Sequence, residues 1–249
     1  MSLNPILKVL LTIRSCEVKA LLMGGQACIL YGAAEFSRDT DFAVLASPEN
    51  LARLKAALQE LQAEPIFFPP LEASYLERGH ACHFRCRAPD ALGLRIDVMT
   101  VLRGCEPFSR LWERREMADL EAVGEVSLLS LPDLVQAKKT QRDKDWPMIQ
   151  RLVEAHHARR NARPSAEDVS FWLREARTVS LLREVAAKHP EVAAAESVHR
   201  SLLRHLQTAT EEELLEALHK EREHERLLDK AYWEPLRREL EMWRQGRRA

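Results

Sequence analysis

Gly124 marks a change of hydrophobic rhythm, and no other feature of this chain constrains its fold as strongly. Before it, short apolar runs stop at glycine and proline. Residues 18–23 read as a buried strand ending at Gly24-Gly25, and residues 26–31 as an apolar helix closed near Gly32. Residues 39–45 form the next strand. Residues 48–61 are an amphipathic helix with Leu51, Leu54, Leu58 and Leu61 on one face. Residues 83–87 and 94–101 pair as a hairpin around Pro89-Asp90-Ala91-Leu92-Gly93. After Gly124 a short strand at 126–129 precedes Pro132, and the remainder is helical: 132–142, 147–159, 166–188, 191–206 and 211 onward. Residues 161–165, with Pro164, are the linker candidate. The expected architecture is an α/β (α+β) N-terminal domain with a mixed sheet, residues 1–125, followed by an α-helical C-terminal region, residues 126–249.

Composition excludes several classes. A hydrophobic fraction of 46% and a charged fraction of 30% fit a soluble globular chain. The formal net charge of −1 supplies no global field for holding nucleic acid. The apolar stretch at 6–13 is interrupted by Lys8 and is too short for a membrane span of about 20 residues. It reads as an amphipathic first helix, with no membrane partner. Five scattered cysteines, an odd number, suit reduced thiols, so a cytoplasmic location is expected. Among them, Cys82 and Cys86 lie near His80 and His83, but no second ligand pair follows to complete a zinc site.

The chemistry concentrates between Gly24 and Asp97. Residues two apart on a strand share a face, so Asp39 and Asp41 project together while Thr40 and Phe42 face away. Adjacent carboxylates repel unless a cation sits between them, and two Mg²⁺ ions about 3.5–4 Å apart are a known clamp for phosphoryl chemistry. A solvated acidic turn is the bland alternative for an isolated Asp-x-Asp. Gly24-Gly25 stands at a strand-to-helix junction whose backbone N–H groups attract phosphate. Asp97 is a lone carboxylate in the apolar run Leu94-Arg-Ile-Asp-Val-Met, costly there unless coordinated or paired. Arg95 should share its face, and an Arg95–Asp97 salt bridge is the alternative reading.

The order diglycine, helix, Asp39-x-Asp41 on a strand, then Asp97 on a later strand resembles the nucleotidyltransferase superfamily that includes polymerase β. The resemblance covers residues 21–100. It implies that Gly24 and Gly25 cradle a triphosphate, that Asp39 and Asp41 hold both metals, and that Asp97 completes the site and helps deprotonate an attacking hydroxyl. The implied cofactor is Mg²⁺, two ions, with Mn²⁺ able to replace it. The second motif position is often serine, and here it is Gly25.

The segment from Leu131 to Trp146 carries a second cluster. Leu131, Val135, Lys138, Arg142, Asp145, Ile149 and Leu152 would share one helical face until Pro147 starts a new helix. A surface ion-pair network is the general expectation for such a run. Small bacterial nucleotidyltransferases, including toxins of type IV toxin–antitoxin systems, carry a similar basic helix after the catalytic sheet. That likeness implies nucleotide-binding roles for Lys138 or Lys139, with Arg142 and Lys144 in support and Asp145 beside them. The implied partners are a nucleoside triphosphate, an acceptor that is a tRNA end, a protein hydroxyl or a small molecule, and a cognate antitoxin. A non-catalytic nucleotide-binding or partner-binding module of the same fold is the competing class.

Overall fold

The structure, a computed structural model, describes residues 4–246. They fall into two compact units. The first takes in the chain up to Leu30, Ala34–Ala137 and the residues from Tyr232 on; the second is Tyr31–Ala33 with Lys138–Ala231.

Seven strands of the first unit make one sheet: β1 (Ala20–Met23), β2 (Asp39–Val44), β3 (Glu64–Pro65), β4 (Cys82–Arg85), β5 (Arg95–Met99), β6 (Glu116–Leu120) and β7 (Gly124–Leu128). Their spatial order is β3-β4-β5-β2-β1-β7-β6. The β1–β7 and β2–β5 pairs are parallel and the rest antiparallel, so the sheet is mixed, as the sequence led us to expect. The unit's helices are α1 (Pro5–Ser15), α2 (Gly24–Leu30), α3 (Pro48–Glu60), α4 (Ala73–Glu77), α5 (Phe108–Glu113) and most of α6 (Leu131–Lys138).

Each of these elements has a local cause. All four residues of β1, Ala-Leu-Leu-Met, are buried, as a central strand requires. In β2 burial alternates at first, with Thr40 and Phe42 inside and Asp39 and Asp41 half-buried. α3 starts where the Ser47 side chain accepts from the Asn50 N–H, with Pro48 in its first turn. Leu51, Leu54, Leu58 and Leu61 are all buried. The buried Asn50 amide donates to the Lys19 and Leu45 carbonyls at 3.1 and 2.9 Å and accepts from the Lys19 N–H at 2.7 Å. One side chain thus ties the start of β1 to the end of β2. Late in the chain, Trp243 packs on Phe68, Tyr75 and His80, while the Glu239 carboxylate takes bonds from Arg78 and His80.

The second unit is helical: α7 (Asp145–Arg160), α8 (Ala166–Glu175), α9 (Val179–Lys188), α10 (Pro190–Glu196) and the part of α11 (Glu211–Gly246) that precedes Tyr232. Its core includes Trp172, Leu173, Leu182, Ile149 and Val153. The indole of Trp172 donates to His156 Nδ1 at 2.9 Å. Residues 161–165 connect α7 to α8 within this unit, and Ser165 forms a capping box with Asp168.

Three sequence expectations are corrected. The expected helix at 166–188 breaks at Ala176, because Arg177 turns inward to pair with Glu175 and Glu221 at 3.2 and 3.0 Å. The helix begun near Pro132 ends at Lys138, so Arg142 lies in a loop and not on a helical stripe with Val135. The expected helix at 191–206 stops at Glu196 and gives way to a 3₁₀ turn over Ser201–His205. β7 pairs with β1 and belongs to the sheet, and the first unit's middle segment runs on to Ala137. No disulfide joins the five cysteines, and burial pushes the Cys82 and Cys86 thiols up to about 12 and about 11. No helix among the described residues is long and apolar enough to cross a membrane.

Candidate active site on the central strands

Strand register builds an acidic face in the first unit. Asp41 lies opposite Asp97 on the parallel neighbour β5, and Asp39 lies opposite Arg95. Because Asp39, Asp41, Arg95 and Asp97 occupy same-phase positions of adjacent strands, all four project from one face of the sheet. The opposite face carries buried Thr40, Phe42, Ile96 and Val98. Neighbouring strands run about 4.8 Å apart, so Asp41 and Asp97 stand as side-by-side carboxylates.

The diglycine closes one side of this face. Gly24 has φ +66°, a conformation that favours glycine, and any Cβ there would overlap the Asp41 Oδ2 atom. The Asp41 carboxylate therefore rests against bare backbone where β1 gives way to α2. At Gly25 an added Cβ would collide with the Ser37 hydroxyl, which donates to the Asp39 carbonyl at 3.1 Å. Ser37 thus brings a hydroxyl to the position whose own residue has none. Gln26 braces the same loop by donating to the Ser37 carbonyl at 3.2 Å.

Asp97 has two partners. Its Oδ1 accepts from Arg95 Nε at 2.7 Å and lies 2.8 Å from His83 Nδ1. Burial alone would raise its pKa, but the bonds from His83 and Arg95 outweigh that and hold it below the ordinary carboxylate value. The expected alternative of an Arg95–Asp97 bridge is thus present, within the acidic face and not away from it. Arg95 also lies 3.1 Å from His83 Nδ1, and its guanidinium sits 5.9 Å from the ring centre of Phe67, itself half exposed.

Sequence reasoning missed His83 as a member of this face. The signal was there: folding the β4–β5 hairpin about Asp90 sets His83 opposite Asp97. It also missed Ser37, whose approach to Gly25 depends on the loop between α2 and β2.

The fit of Mg²⁺ can be judged from the donors. Among the described residues, no three His, Cys, Asp or Glu side chains converge closely enough to hold an ion by themselves. Mg²⁺ does not demand that, since it commonly takes one or two carboxylates and fills its remaining positions with water and phosphate oxygens. Asp39 and Asp41, beside the glycine-lined turn, fit that pattern.

The basic candidates belong to the second unit, where each has an acidic neighbour or lies exposed. Lys138 Nζ and Arg142 Nε bond to the Asp145 carboxylate at 3.3 and 2.7 Å, and Thr140 donates to it at 2.5 Å. Lys139 is buried and donates to Glu175 at 2.7 Å. Lys144 is exposed at the start of α7.

No protein-family model matches the chain, and no curated protein matches it either. Among solved structures, a protein from H. pylori that carries the provisional assignment of nucleotidyltransferase aligns over 91% of this chain and 94% of its own. The identity is 14% and the TM-score 0.40. At that level the likeness carries no argument.

Proposed function

We propose that this chain is a metal-dependent nucleotidyltransferase that moves a nucleoside monophosphate from a nucleoside triphosphate to an acceptor hydroxyl, with release of pyrophosphate. The observation that carries the reading is the pairing of Asp41 with Asp97 across β2 and β5, with Asp39 on the same face and the Gly24 backbone beneath Asp41. Asp39 and Asp41 would hold the ion. When bound, Mg²⁺ supplies charge neutralisation for the triphosphate and for the oxygens that gain charge during transfer.

The chain's own residues do the rest. Gly24 and Gly25 leave the backbone open to a phosphate at the turn into α2, and Ser37 offers a hydroxyl beside it. The acceptor oxygen bonds to the α-phosphorus as the bond to the pyrophosphate oxygen breaks, and the hydroxyl proton leaves toward the acidic face. Fixed charge and position supply most of the acceleration in such a step. Lys138, Lys139, Arg142 and Lys144 remain phosphate-binding candidates from the sequence resemblance; the carboxylate partners of the first three would have to release them, and Lys144 is exposed. The acceptor is a tRNA end, a protein hydroxyl or a small molecule. A cognate antitoxin and a cytoplasmic site of action belong to the toxin-like form of the proposal.

One observation favours a second reading. Asp97 already has Arg95 and His83 as partners, as a non-catalytic nucleotide-binding module would allow. Incubation of the full chain with α-labelled triphosphates, Mg²⁺ and a mixture of RNA and protein acceptors separates the two. Transfer of label that Asp39→Asn abolishes supports catalysis. Nucleotide binding without transfer to any acceptor supports the module.

A further inference from the structure

In-line transfer puts the attacking and leaving oxygens on opposite sides of the phosphorus. With the triphosphate at the Gly24 turn, where β1 gives way to α2, the acceptor must approach from the far side of β5. That side is β4 and the segment after β3. His83 on β4 lies opposite Asp97, and Arg85 lies opposite Arg95, so both project from the acidic face. The ring centre of Phe67 is 5.7 Å from that of His83 and 5.9 Å from the Arg95 guanidinium, yet Phe67 is 53% exposed. Its neighbour Phe68 packs instead on Tyr75 and Trp243. Arg85 is exposed as well, and Glu64, the acid across from it on β3, is bonded by Arg87 at 2.9 Å.

An exposed aromatic ring set among guanidinium groups suits single-stranded nucleic acid, because the ring stacks a base while the cations take phosphate. We propose that Phe67 and Arg85 select the acceptor, and that it is the terminus of a single-stranded nucleic acid. Its last base would lie on Phe67, its last phosphate on Arg85 and its terminal hydroxyl at Asp97. This rests on the transfer reading above. His83 links the two ends of that span, since it packs on Phe67 and lies 2.8 Å from Asp97. The terminal oxygen bonds to the α-phosphorus as the bond to pyrophosphate breaks, and its proton leaves toward the acidic face, so the strand grows by one nucleotide. A cationic acceptor would meet Arg85 and Arg95 as like charges, and a serine or threonine hydroxyl makes no use of Phe67. The net charge of −1 gives no long-range pull, so recognition is local, one base and one phosphate.

The test measures binding of short fluorescein-labelled RNA and DNA single strands by anisotropy, on the full chain with Mg²⁺, beside calorimetry of the four nucleoside triphosphates. Phe67→Ala should weaken strand binding about tenfold, and Phe67→Trp should keep it. Arg85→Gln should lower the slope of log affinity against log salt by about 0.7, and it decides the matter alone if Phe67→Ala fails to fold. All three variants should bind triphosphate as the wild type does. This pattern with either strand supports the proposal, and the tighter strand identifies the acceptor. No strand binding, or binding indifferent to Phe67→Ala and Arg85→Gln, would overturn it and leave the transfer reading intact. So would a tyrosine-containing peptide bound in place of the strands, or loss of triphosphate binding in Phe67→Ala, which would assign the ring to the donor base. No triphosphate bound by the wild type would overturn the transfer reading and this proposal with it.

Discussion

Asp97 and Asp145 are both carboxylates bonded to two basic side chains, and the difference between their surroundings separates a knot from a site. Asp145 has a side chain only 3% exposed, and Lys138, Thr140 and Arg142 all bond to it. Asp97 is 19% exposed and shares its face with Asp39, Asp41 and Arg95. The lesson is that a charged cluster points to function when its carboxylates stay within reach of solvent. In the second unit Lys138, Thr140 and Arg142 close over Asp145, and in the first Asp39, Asp41 and Asp97 share one half-buried face.

The comparison can be broken most forcefully at Asp145. Asp145→Ala strands Lys138 beside an empty position, and breaking such a buried pair costs about 3 kcal/mol or somewhat more. Urea unfolding should show that loss. A change under about 1 kcal/mol would mean that the knot is ornamental.

Gly24→Ala should come next. The new Cβ meets the Asp41 carboxylate in a backbone conformation that favours glycine, so a loss of about 1–3 kcal/mol is expected. Nucleotide binding should fall with it, since Asp41 must move. Measured stability and affinity that both match the wild type would show that Asp41 does not depend on the bare turn.

A smaller effect lies in the acid limb of stability. Asp97 and Asp145 are both held below the ordinary value of 3.8, Asp145 because Lys138, Thr140 and Arg142 overcome the cost of its burial. With folded pKa values depressed, each contributes stability that is present above pH 3.8 and is lost as pH falls through 3.8 and below. Denaturation curves from pH 6 to pH 3 should therefore flatten in Asp145→Asn and, less strongly, in Asp97→Asn. Equal flattening would erase the contrast between knot and site.

Much of the first unit was legible in the sequence because its elements bury one clear face. The leucines of α3 and the alternation in β2 announce themselves by period. β6 was not legible: Glu116–Leu120 buries none of its side chains, and it exists through its pairing with β7. The break at Ala176 was hidden because apolar residues continue across it, while the burial of Arg177 that forces the turn depends on the distant Glu221. In the site, Asp39 and Asp41 follow from strand phase, and Arg95 follows from Asp97 by the same rule. Their assembly into one face does not, since β2 and β5 are parallel neighbours and only the fold sets their register. The pairing of Lys138 with Asp145 matches the surface ion-pair expectation for that run, though it is more deeply buried than such networks usually are.

The central claim is that the acidic face binds a nucleoside triphosphate through a divalent ion. Titration calorimetry of ATP, CTP, GTP and UTP with Mg²⁺, on the wild type and on Asp39→Asn/Asp41→Asn, tests it most directly. The account predicts binding of at least one nucleotide that requires Mg²⁺ and falls at least about a hundredfold in the double variant. Binding that is indifferent to Mg²⁺ and to both substitutions, or no binding of any of the four, would contradict it.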